Sequence, residues 1–368
     1  MAARIHCIVG ARPNLVKIAP LMRAFAHEEI LDPRLIHTGQ HYDVEMSRAF
    51  FEDLEIPDPD RNLEVGSGSH ALQTARIMER YERVMEDDRP ALLLVVGDVN
   101  STIACSLVAA KRGVAVAHVE AGLRSFDRSM PEEINRVLTD QLSDLLFITA
   151  EEARGNLLRE GIAQERIHFT GNVMIDALFD ALPLAARRET PGRFGLAGRA
   201  YAVATIHRPS NVDQRESLAQ VVTIFVDLAQ RLPLVVPLHP RTQERLGSFD
   251  LLERLRAAPG VILAPALRYL EFQDLMRQAR LVLTDSGGIQ EETTVLGIPC
   301  LTLRANTERP ITVTHGTNRL VGPDPAKVLA AADAVLAAPR LAEPPVLPGW
   351  DGLAAQRIAK ILAAELAA

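Results

Sequence analysis

Short apolar runs alternate along the chain with longer stretches in which apolar and polar residues recur at helical spacing. The first half contains the apolar runs RIHCIVG, RLIHTG, LLLVVG and VAVAHVE, separated by stretches such as PNLVKIAPLMRAF and STIACSLVAAKRG. A run that is apolar on both faces is typical of a strand buried in a parallel sheet, and the longer stretches are typical of amphipathic helices. The pattern therefore predicts repeated strand–helix–strand units and an α/β fold.

The same alternation restarts after residues 186–200, a stretch rich in Arg, Gly and Ala that has no clear period. A chain of 368 residues also exceeds one ordinary core. We therefore predict two doubly wound Rossmann-like domains that face each other across a cleft, an N-terminal α/β domain over residues 1–172 and a C-terminal one over 173–351. The last helical stretch, 352–368, is expected to pack back on the first domain.

Composition narrows the classes of partner. The formal net charge of -7 gives no electrostatic basis for binding nucleic acid or an anionic membrane surface. The apolar runs are too short for a membrane helix, and the N-terminus enters a strand-like run without a secretory signal. Cys7, Cys105 and Cys300 are too far apart to suggest a disulfide framework or a metal site. We expect a cytoplasmic protein that acts on a small molecule.

Gly66 to Ala71 match the GxGxxA form of a dinucleotide fingerprint, but the run before them, LEVGS, is short and polar. A nicotinamide site requires a strand directly before the glycines. The sequence also lacks HExxH and any close His/Cys cluster. Neither a cofactor nor a metal is therefore expected.

In open α/β sheets, ligands bind beyond the carboxyl ends of the strands. The segment TDSGGIQEE is predicted to run from strand to turn to helix, and the N–H groups of Ser286, Gly287 and Gly288 would lie at a positive helix terminus. This arrangement suits a phosphate, although a plain N-capped helix is the alternative. Glu292 would repel phosphate, but its carboxylate can accept two hydrogen bonds from a ribose diol.

Three cations are candidates for a diphosphate. Arg12 and Lys17 lie at the start of the first helix, with Pro13 well placed in its first turn. Arg309 is a further candidate because a guanidinium matches phosphate oxygens bidentately. The alternatives are a solvated surface position for Lys17 and a surface salt bridge with Glu308 for Arg309.

Candidate proton-transfer groups also follow strands. Asp98 and Glu120 come directly after neighbouring apolar runs, and either could instead cap the next helix. Two histidines, His207 and His239, follow strands of the second half, where the alternative is a structural role.

Glu132 has a strong local alternative, because Ser129 to Glu132 fit the capping box S-x-x-E with proline in the first turn. Glu133 and Arg136 have the spacing of an i,i+3 ion pair. Proton handling by Glu132 and capping of its own helix are therefore competing hypotheses.

Taken in order, the motifs GARPNLVKIAP, TGQHYD, GDVNST, HVEAGLRS, PEEINR, TGNVMIDAL, HRPSN, TDSGGIQEE, TERP and GTNRLVG resemble the non-hydrolysing UDP-N-acetylglucosamine 2-epimerases, whose fold is GT-B-like. The resemblance spans roughly residues 5 to 322. It implies interconversion of UDP-GlcNAc and UDP-ManNAc at C2 without an added cofactor, by elimination of UDP and its re-addition through a glycal-like intermediate. It also implies a homodimer.

The resemblance assigns UDP mainly to the second domain, with Ser286, Gly287 and Arg309 at the phosphates and Glu292 on the ribose. Arg12 and Lys17 would approach from the first domain, and His207 would act near the diphosphate. The catalytic carboxylates implied by the motifs are Asp98, Glu120 and Glu132.

Two departures from the family pattern concern regulation. HRPSN replaces an HRRE-like motif, and the acidic loop SFDRSM is short. In part of the family a second UDP-GlcNAc binds as an activator through the regions of Gln40, His41, Glu133 and Arg208, so these departures put that allosteric site in question. The alternative functions are a hydrolysing epimerase that releases UDP and ManNAc, a GT-B glycosyltransferase, and a UDP-sugar-binding regulator without activity.

Overall fold

The computed structural model describes residues 2–40 and 44–367, apart from the side chains of residues 44–47. The predicted cleft residue His41 therefore lies outside the described residues. The chain forms two compact units, the first ending at Phe179 and resuming at Pro348, and the second comprising Asp180–Leu347. The sequence analysis drew these boundaries after residues 172 and 351. The first observed boundary falls inside a continuous helix, Val173–Ala185, where the apolar pattern has no break.

The first unit is built on a seven-stranded sheet in which each neighbouring pair runs parallel, in the order β3-β2-β1-β4-β5-β6-β7. Its strands are β1 (Ala3–Val9), β2 (Leu31–His37), β3 (Arg61–Asn62), β4 (Leu92–Val96), β5 (Ala115–Val119), β6 (Leu145–Ile148) and β7 (Ile167–Phe169). Its helices up to the first boundary are α1 (Arg12–Phe25), α2 (Val44–Asp53), α3 (His70–Asp87), α4 (Asn100–Lys111), α5 (Pro131–Leu142), α6 (Glu151–Arg159) and α7 (Val173–Ala185).

The helices cover the sheet through apolar stripes at helical spacing. In α3, Ile77, Tyr81 and Met85 recur every four residues, and all are buried in one core cluster with residues of β4. Every residue of β4 is buried, as expected for a central parallel strand. Ser69 begins α3 by accepting a hydrogen bond from the N–H of Leu72 at 3.3 Å. The glycine motif before α3 thus follows only the short edge strand β3, which is not the context of a dinucleotide site.

The second unit repeats the plan with a six-stranded parallel sheet in the order β10-β9-β8-β11-β12-β13. Its strands are β8 (Ala202–Thr205), β9 (Leu234–Pro237), β10 (Val261–Ala264), β11 (Leu281–Thr284), β12 (Cys300–Thr302) and β13 (Asn318–Leu320). Its helices after α7 are α8 (Thr190–Arg193), α9 (Pro209–Val212), α10 (Arg215–Ala229), α11 (Pro240–Ser248), α12 (Leu252–Arg256), α13 (Tyr269–Arg277), α14 (Gly287–Val295), α15 (Ile311–Thr314) and α16 (Pro325–Ala337).

Both strand orders reverse direction at one point, between β1 and β4 in the first sheet and between β8 and β11 in the second. This reversal is the switch point at which doubly wound sheets bind ligands. The predicted α/β class with two doubly wound Rossmann-like units is therefore confirmed. That the units face each other across a cleft stays a prediction.

The last helix, α17 (Ala354–Ala367), packs against α1 of the first unit. Its buried face includes Ile358 and Leu362. Asp176 of α7 accepts hydrogen bonds from the N–H groups of Ala354 at 3.2 Å and Ala355 at 2.7 Å. A carboxylate at a helix N-terminus satisfies first-turn N–H groups and complements the helix dipole. Within the described part of the chain, no helix is long and apolar enough to cross a membrane.

Candidate active site

The turn after β1 is held by an asparagine that the sequence analysis missed. The Asn14 side-chain oxygen accepts the N–H groups of Gly10 at 3.2 Å and Ala11 at 3.0 Å, and its amide donates to the carbonyl of Val96 at 2.8 Å. This joins the ends of β1 and β4 at the switch point. Helix α1 begins at Arg12, with proline in its first turn as predicted. The sequence signal for this role was the position of Asn14 in GARPN, three residues after the N-cap Ala11, where a polar side chain can bond back to the turn.

Lys17 and Glu120 form a buried ion pair. Their ammonium and carboxylate groups are in contact, and the two residues are only 5% and 4% exposed. The sequence analysis assigned Lys17 to a diphosphate, whereas here its ammonium lies on the candidate catalytic carboxylate. The candidate catalytic carboxylate at the end of β5 is therefore held in place by a cation from α1.

The backbone at Glu120 is in the left-handed region, with φ of 74°. The N–H groups of Glu120 and Ala121 both donate to the carbonyl of Phe147 in β6 at 3.1 Å, which holds this conformation. A non-glycine residue in this region costs roughly 1–3 kcal/mol and is often found at functional sites. Sequence pattern contains no sign of such strain.

Asp98, after β4, is held by a buried arginine of α5. Arg136 donates to Asp98 Oδ2 from Nε at 3.0 Å and from Nη2 at 2.7 Å, and its Nη1 donates to Glu133 at 2.6 Å. The predicted Glu133–Arg136 pair is confirmed, but it is buried and extends to Asp98. The alternative in which Asp98 caps the next helix is wrong, because Val99 is the N-cap of α4.

The predicted capping box at Glu132 is also wrong. Helix α5 begins at Pro131 with Met130 as its N-cap, so Ser129 lies one residue too early. The Ser129 hydroxyl and N–H donate to Asp127 instead, at 2.6 and 3.0 Å. Glu132 lies in the first turn of α5 and is half-buried. Glu132 therefore does not form a capping box with Ser129.

Gln40 is bonded inside the first unit. Its side-chain oxygen accepts from the Ser101 hydroxyl at 2.7 Å, and its amide donates to Gln73 at 2.8 Å. Gln40 thus connects the end of β2 to α3 and α4. A role in binding a second nucleotide sugar stays a prediction.

In the second unit, α14 begins at Gly287 with Ser286 as its N-cap. The Ser286 N–H donates to the Thr284 hydroxyl at 3.0 Å, so the expectation of a free N–H at Ser286 is wrong. Gly287 and Gly288 occupy the first turn, where N–H groups have no partner four residues earlier in the helix. The backbone N–H groups at this helix start that could bind an anion are therefore those of Gly287 and Gly288, without that of Ser286.

Arg309 lies directly beside this helix start. A Cβ atom added to Gly287 would lie 2.5 Å from Arg309 Nη1. Arg309 is itself held by Glu291, with Nε 2.9 Å from Oε1, and by Glu308, with Nη1 2.7 Å from Oε1. The Glu308 pair was predicted as a surface salt bridge, but both residues are buried. Glycine at 287 leaves space for the guanidinium.

Glu308 orders two further arginines. Its Oε2 accepts from Arg304 Nη2 at 2.8 Å, and Arg208 Nη2 lies 3.7 Å from its Oε1. Three guanidiniums therefore surround one carboxylate near the start of α14. Arg304 was missed by the sequence analysis, although it lies four residues before Glu308 in RANTERP.

His207, after β8, is oriented by Asp285, which the sequence analysis also missed. The Asp285 carboxylate accepts from the backbone of His207 and Arg208 and lies 3.0 Å from His207 Nδ1. Burial raises the pKa of Asp285, but the hydrogen bonds from His207 and Asn211 lower it by more than burial raises it. The pKa of Asp285 therefore lies below its usual value. The ring of His239, the N-cap of α11, lies 5.5 Å from that of His207.

Glu292, in the second turn of α14, is buried against α13. Its Oε1 accepts from Gln273 at 2.7 Å and from the Tyr269 hydroxyl at 3.3 Å. Burial raises the pKa of Glu292 to about 8, despite these two hydrogen bonds. The carboxyl group is therefore largely protonated at neutral pH and can donate as well as accept a hydrogen bond.

The two units thus carry different chemistry at their switch points. The first gathers carboxylates suited to proton transfer, and the second gathers guanidiniums, a histidine and a helix N-terminus suited to an anion. Among residues 2–40 and 44–367, no group of three or more His, Cys, Asp or Glu side chains could hold a metal ion.

Comparison with known proteins identifies the family. Residues 23–363 match the family model described as UDP-N-acetylglucosamine 2-epimerase. The chain is 42% identical to the UDP-N-acetylglucosamine 2-epimerase of Methanocaldococcus jannaschii, covering 98% of each chain. It is also 42% identical, over 87% of this chain and 88% of the relative, to the UDP-2,3-diacetamido-2,3-dideoxy-D-glucuronate 2-epimerase of Pseudomonas aeruginosa. The crystal structure of the M. jannaschii epimerase with UDP-GlcNAc and UDP superposes with a TM-score of 0.90 at 41% identity, over 98% of this chain and 99% of that one. This chain therefore belongs to the UDP-N-acetylglucosamine 2-epimerase family.

Proposed function

We propose that this protein interconverts UDP-GlcNAc and UDP-ManNAc at C2 without releasing the free sugar. The observation that carries the proposal is the buried Glu120 carboxylate, paired with Lys17 and held in a left-handed backbone conformation. The ordered Asp98 follows the neighbouring strand β4. Several carboxylates at one edge of a sheet are what inversion at carbon requires, because one group removes the proton and another returns it to the opposite face.

The reaction proceeds by elimination and re-addition. A carboxylate takes the C2 proton, the electrons of that bond form the C1–C2 double bond, and the C1–oxygen bond breaks with its electrons passing to UDP. Return of a proton to the other face of C2, followed by attack of UDP on C1, gives the epimer. The chemistry needs no redox cofactor, because neither the elimination of UDP nor its re-addition transfers electrons to or from an outside acceptor.

We assign retention of the diphosphate to the second unit. The first-turn N–H groups of Gly287 and Gly288, together with Arg309, favour the anion both as substrate and as departing group. His207, oriented by Asp285, is a further donor. Glu292 is assigned to the ribose, and Arg12 to the diphosphate from the first unit. Preorganised donors of this kind stabilise the charge that develops on the leaving group.

The test is hydrogen exchange at C2. Purified protein is incubated with UDP-GlcNAc in deuterated water, and C2 is followed by NMR. The proposal expects deuterium at C2 in both epimers, with UDP still attached. Appearance of UDP with free ManNAc would identify the hydrolysing reaction instead, and binding without exchange would contradict epimerisation altogether.

A second candidate substrate comes from the Pseudomonas relative, which is 42% identical to this chain, as the archaeal epimerase is, but over 87% of this chain instead of 98%. UDP-2,3-diacetamido-2,3-dideoxy-D-glucuronate is therefore assayed in parallel, with kcat/KM measured for both sugars. A higher kcat/KM for the glucuronate would reassign the substrate but not the reaction.

Gly287→Ala tests the proposed diphosphate-binding site at the start of α14. The added Cβ would lie 2.5 Å from Arg309 Nη1 and 2.7 Å from Glu308 Oε1, so the buried ion pair must shift. Loss of one charged hydrogen bond to phosphate is worth about 1.5–3 kcal/mol, so UDP affinity should fall roughly 10- to 150-fold. Isothermal titration calorimetry with UDP measures this.

The matched control is Gly192→Ala in α8 of the same unit, where a new Cβ meets nothing within 4 Å. It should leave the UDP affinity unchanged. Equal affinities in both variants would remove Gly287 from the site.

We also propose that the protein is a homodimer, as its family resemblance implies. Light scattering coupled to size-exclusion chromatography should give twice the chain mass of 40.3 kDa. A mass of one chain at micromolar concentration would contradict the proposal.

A further inference from the structure

We infer that His118 is a positioning residue that fixes the Gly97–Asp98 segment relative to helix α5. The inference rests on the proposed function, because it concerns the placement of the carboxylates assigned to proton transfer. His118 itself is completely buried in β5 and lies two residues before Glu120, so it is not available to a substrate.

Both ring nitrogens of His118 face oxygen atoms. Nε2 lies 2.9 Å from the carbonyl oxygen of Gly97, and Nδ1 lies 2.7 Å from Asp140 Oδ1 in α5. A carbonyl oxygen can only accept a hydrogen bond, so Nε2 carries a proton.

Asp140 is ionised, because its other oxygen also receives donors. Oδ2 accepts the N–H of Gly122 at 3.1 Å and lies 2.7 Å from Arg124 Nη2. Burial raises the pKa of Asp140, but the interactions with His118 and Arg124 lower it by more than burial raises it. The pKa of Asp140 therefore lies below its usual value. An ionised carboxylate has no proton to give, so Asp140 acts only as an acceptor towards the ring.

The Asp140 carboxylate is also held from the side opposite the ring. Arg124 is shared between Asp140 and Glu160, which it contacts at 2.7 and 2.6 Å. The other charged groups near Gly97 are the Lys17–Glu120 pair, and Asp98 with its partner Arg136, which also pairs with Glu133.

Gly97 is hydrogen-bonded to β5 through both its N–H and its carbonyl group. Its N–H donates to the carbonyl of Val119 at 3.1 Å, and its carbonyl accepts from His118. Its φ of 69° makes the turn after β4, and a Cβ there would lie 2.7 Å from Lys17 Nζ and 3.3 Å from Glu120 Oε2. His118 thus holds the turn that lies against the Lys17–Glu120 pair and leads directly into Asp98.

The same ring holds the helix that bears the other groups. Asp140 lies on α5, as do Glu132 and the Arg136 that grips Asp98. One buried imidazole ring therefore connects the turn after β4 and helix α5. Loss of this connection should misplace the carboxylates without changing the groups that bind UDP.

Two variants separate the two bonds of the ring. The side-chain amide of asparagine takes the position of Nδ1, so His118→Asn keeps the bond to Asp140 and loses that to Gly97. Glutamine reaches the position of Nε2, so His118→Gln keeps the bond to Gly97. A misplacement of about 1 Å can cost about 100-fold, which is the loss of kcat expected for His118→Asn, against about tenfold or less for His118→Gln.

In both variants the KM for UDP-GlcNAc and the Kd for UDP should stay within about twofold, because uniform binding is untouched. A residue that only stabilised the fold would lower the stability of both variants without separating their kcat values. Equal kcat in the two variants, or a loss confined to UDP affinity, would overturn the positioning role.

The hydrogen bond from the ring to Gly97 is measured on the unmodified protein. In a 15N-edited NMR spectrum, His118, assigned through contacts to neighbouring backbone amides, should show a proton on Nε2. A proton on Nδ1 alone would overturn the inference even if the variants failed to fold. Absence of C2 exchange in the unmodified protein, with the Nε2 proton present, would instead contradict only the proposed reaction.

Discussion

Glu120→Gln is expected to lower kcat for C2 epimerisation by about 1,000-fold, within the range for loss of a general acid or base. The amide has nearly the shape of the carboxylate but cannot take a proton from C2. The Kd for UDP should stay within about twofold, because the diphosphate is assigned to other residues. Coupled assays of turnover and calorimetric titration with UDP give the two quantities.

The control addresses stability, because Glu120→Gln leaves the buried Lys17 ammonium without its anionic partner. Breaking a buried pair on one side costs about 3–5 kcal/mol. Leu362→Ala, in the buried face of α17, costs a similar 2–5 kcal/mol by opening a cavity and changes no charge. If Leu362→Ala lost turnover per folded molecule as Glu120→Gln does, the catalytic assignment of Glu120 would be contradicted.

Glu292→Gln is expected to change how stability depends on pH. Burial raises the pKa of Glu292 to about 8 from the ordinary 4.5, so the folded protein binds this proton more tightly than the unfolded chain does. The stability that this carboxyl contributes is complete below pH 4.5 and is lost as the pH rises through about 8. Glutamine keeps the shape and does not titrate.

The free energy of unfolding of Glu292→Gln, relative to the unmodified protein, should therefore rise between pH 5 and pH 9 by roughly 3–6 kcal/mol. Denaturant titrations at several pH values measure the difference. Glu253→Gln is the control, because that residue is exposed on α12 of the same unit. A pH-independent difference for Glu292→Gln would show that its carboxyl group is ionised at neutral pH.

The same carboxyl group links UDP binding to pH. If the ribose diol donates hydrogen bonds to both oxygens of Glu292, the ionised carboxylate is the better acceptor, so binding favours release of the proton that the carboxyl group holds at neutral pH. Calorimetry in buffers of different ionisation enthalpy should then detect more proton release on UDP binding by the unmodified protein than by Glu292→Gln.

The amino-acid sequence by itself determined the fold class and supplied most of the candidate site residues. An unbroken apolar run such as LLLVV is buried on both faces when helices cover both sides of the sheet, so the α/β class follows from local composition. Asp98, Glu120, His207 and Gly287 became candidates because parallel strands end at one edge, where ligands bind.

Only the tertiary structure decided which charges neutralise each other. Lys17 and Glu120 are far apart in sequence, and no periodicity shows that their side chains meet. The same holds for Arg136 on Asp98 and for Asp140 on His118. Local patterns even misled at Glu132, where Asp127 takes the serine of the apparent capping box.

Burial and backbone conformation were likewise decided by the fold. The left-handed backbone of Glu120 depends on the carbonyl of Phe147 in the next strand, and the raised pKa of Glu292 depends on its enclosure by α13. Side-chain type and spacing are local properties, so sequence determines them. Partner, protonation and strain depend on atoms that only the packed chain brings within hydrogen-bonding distance.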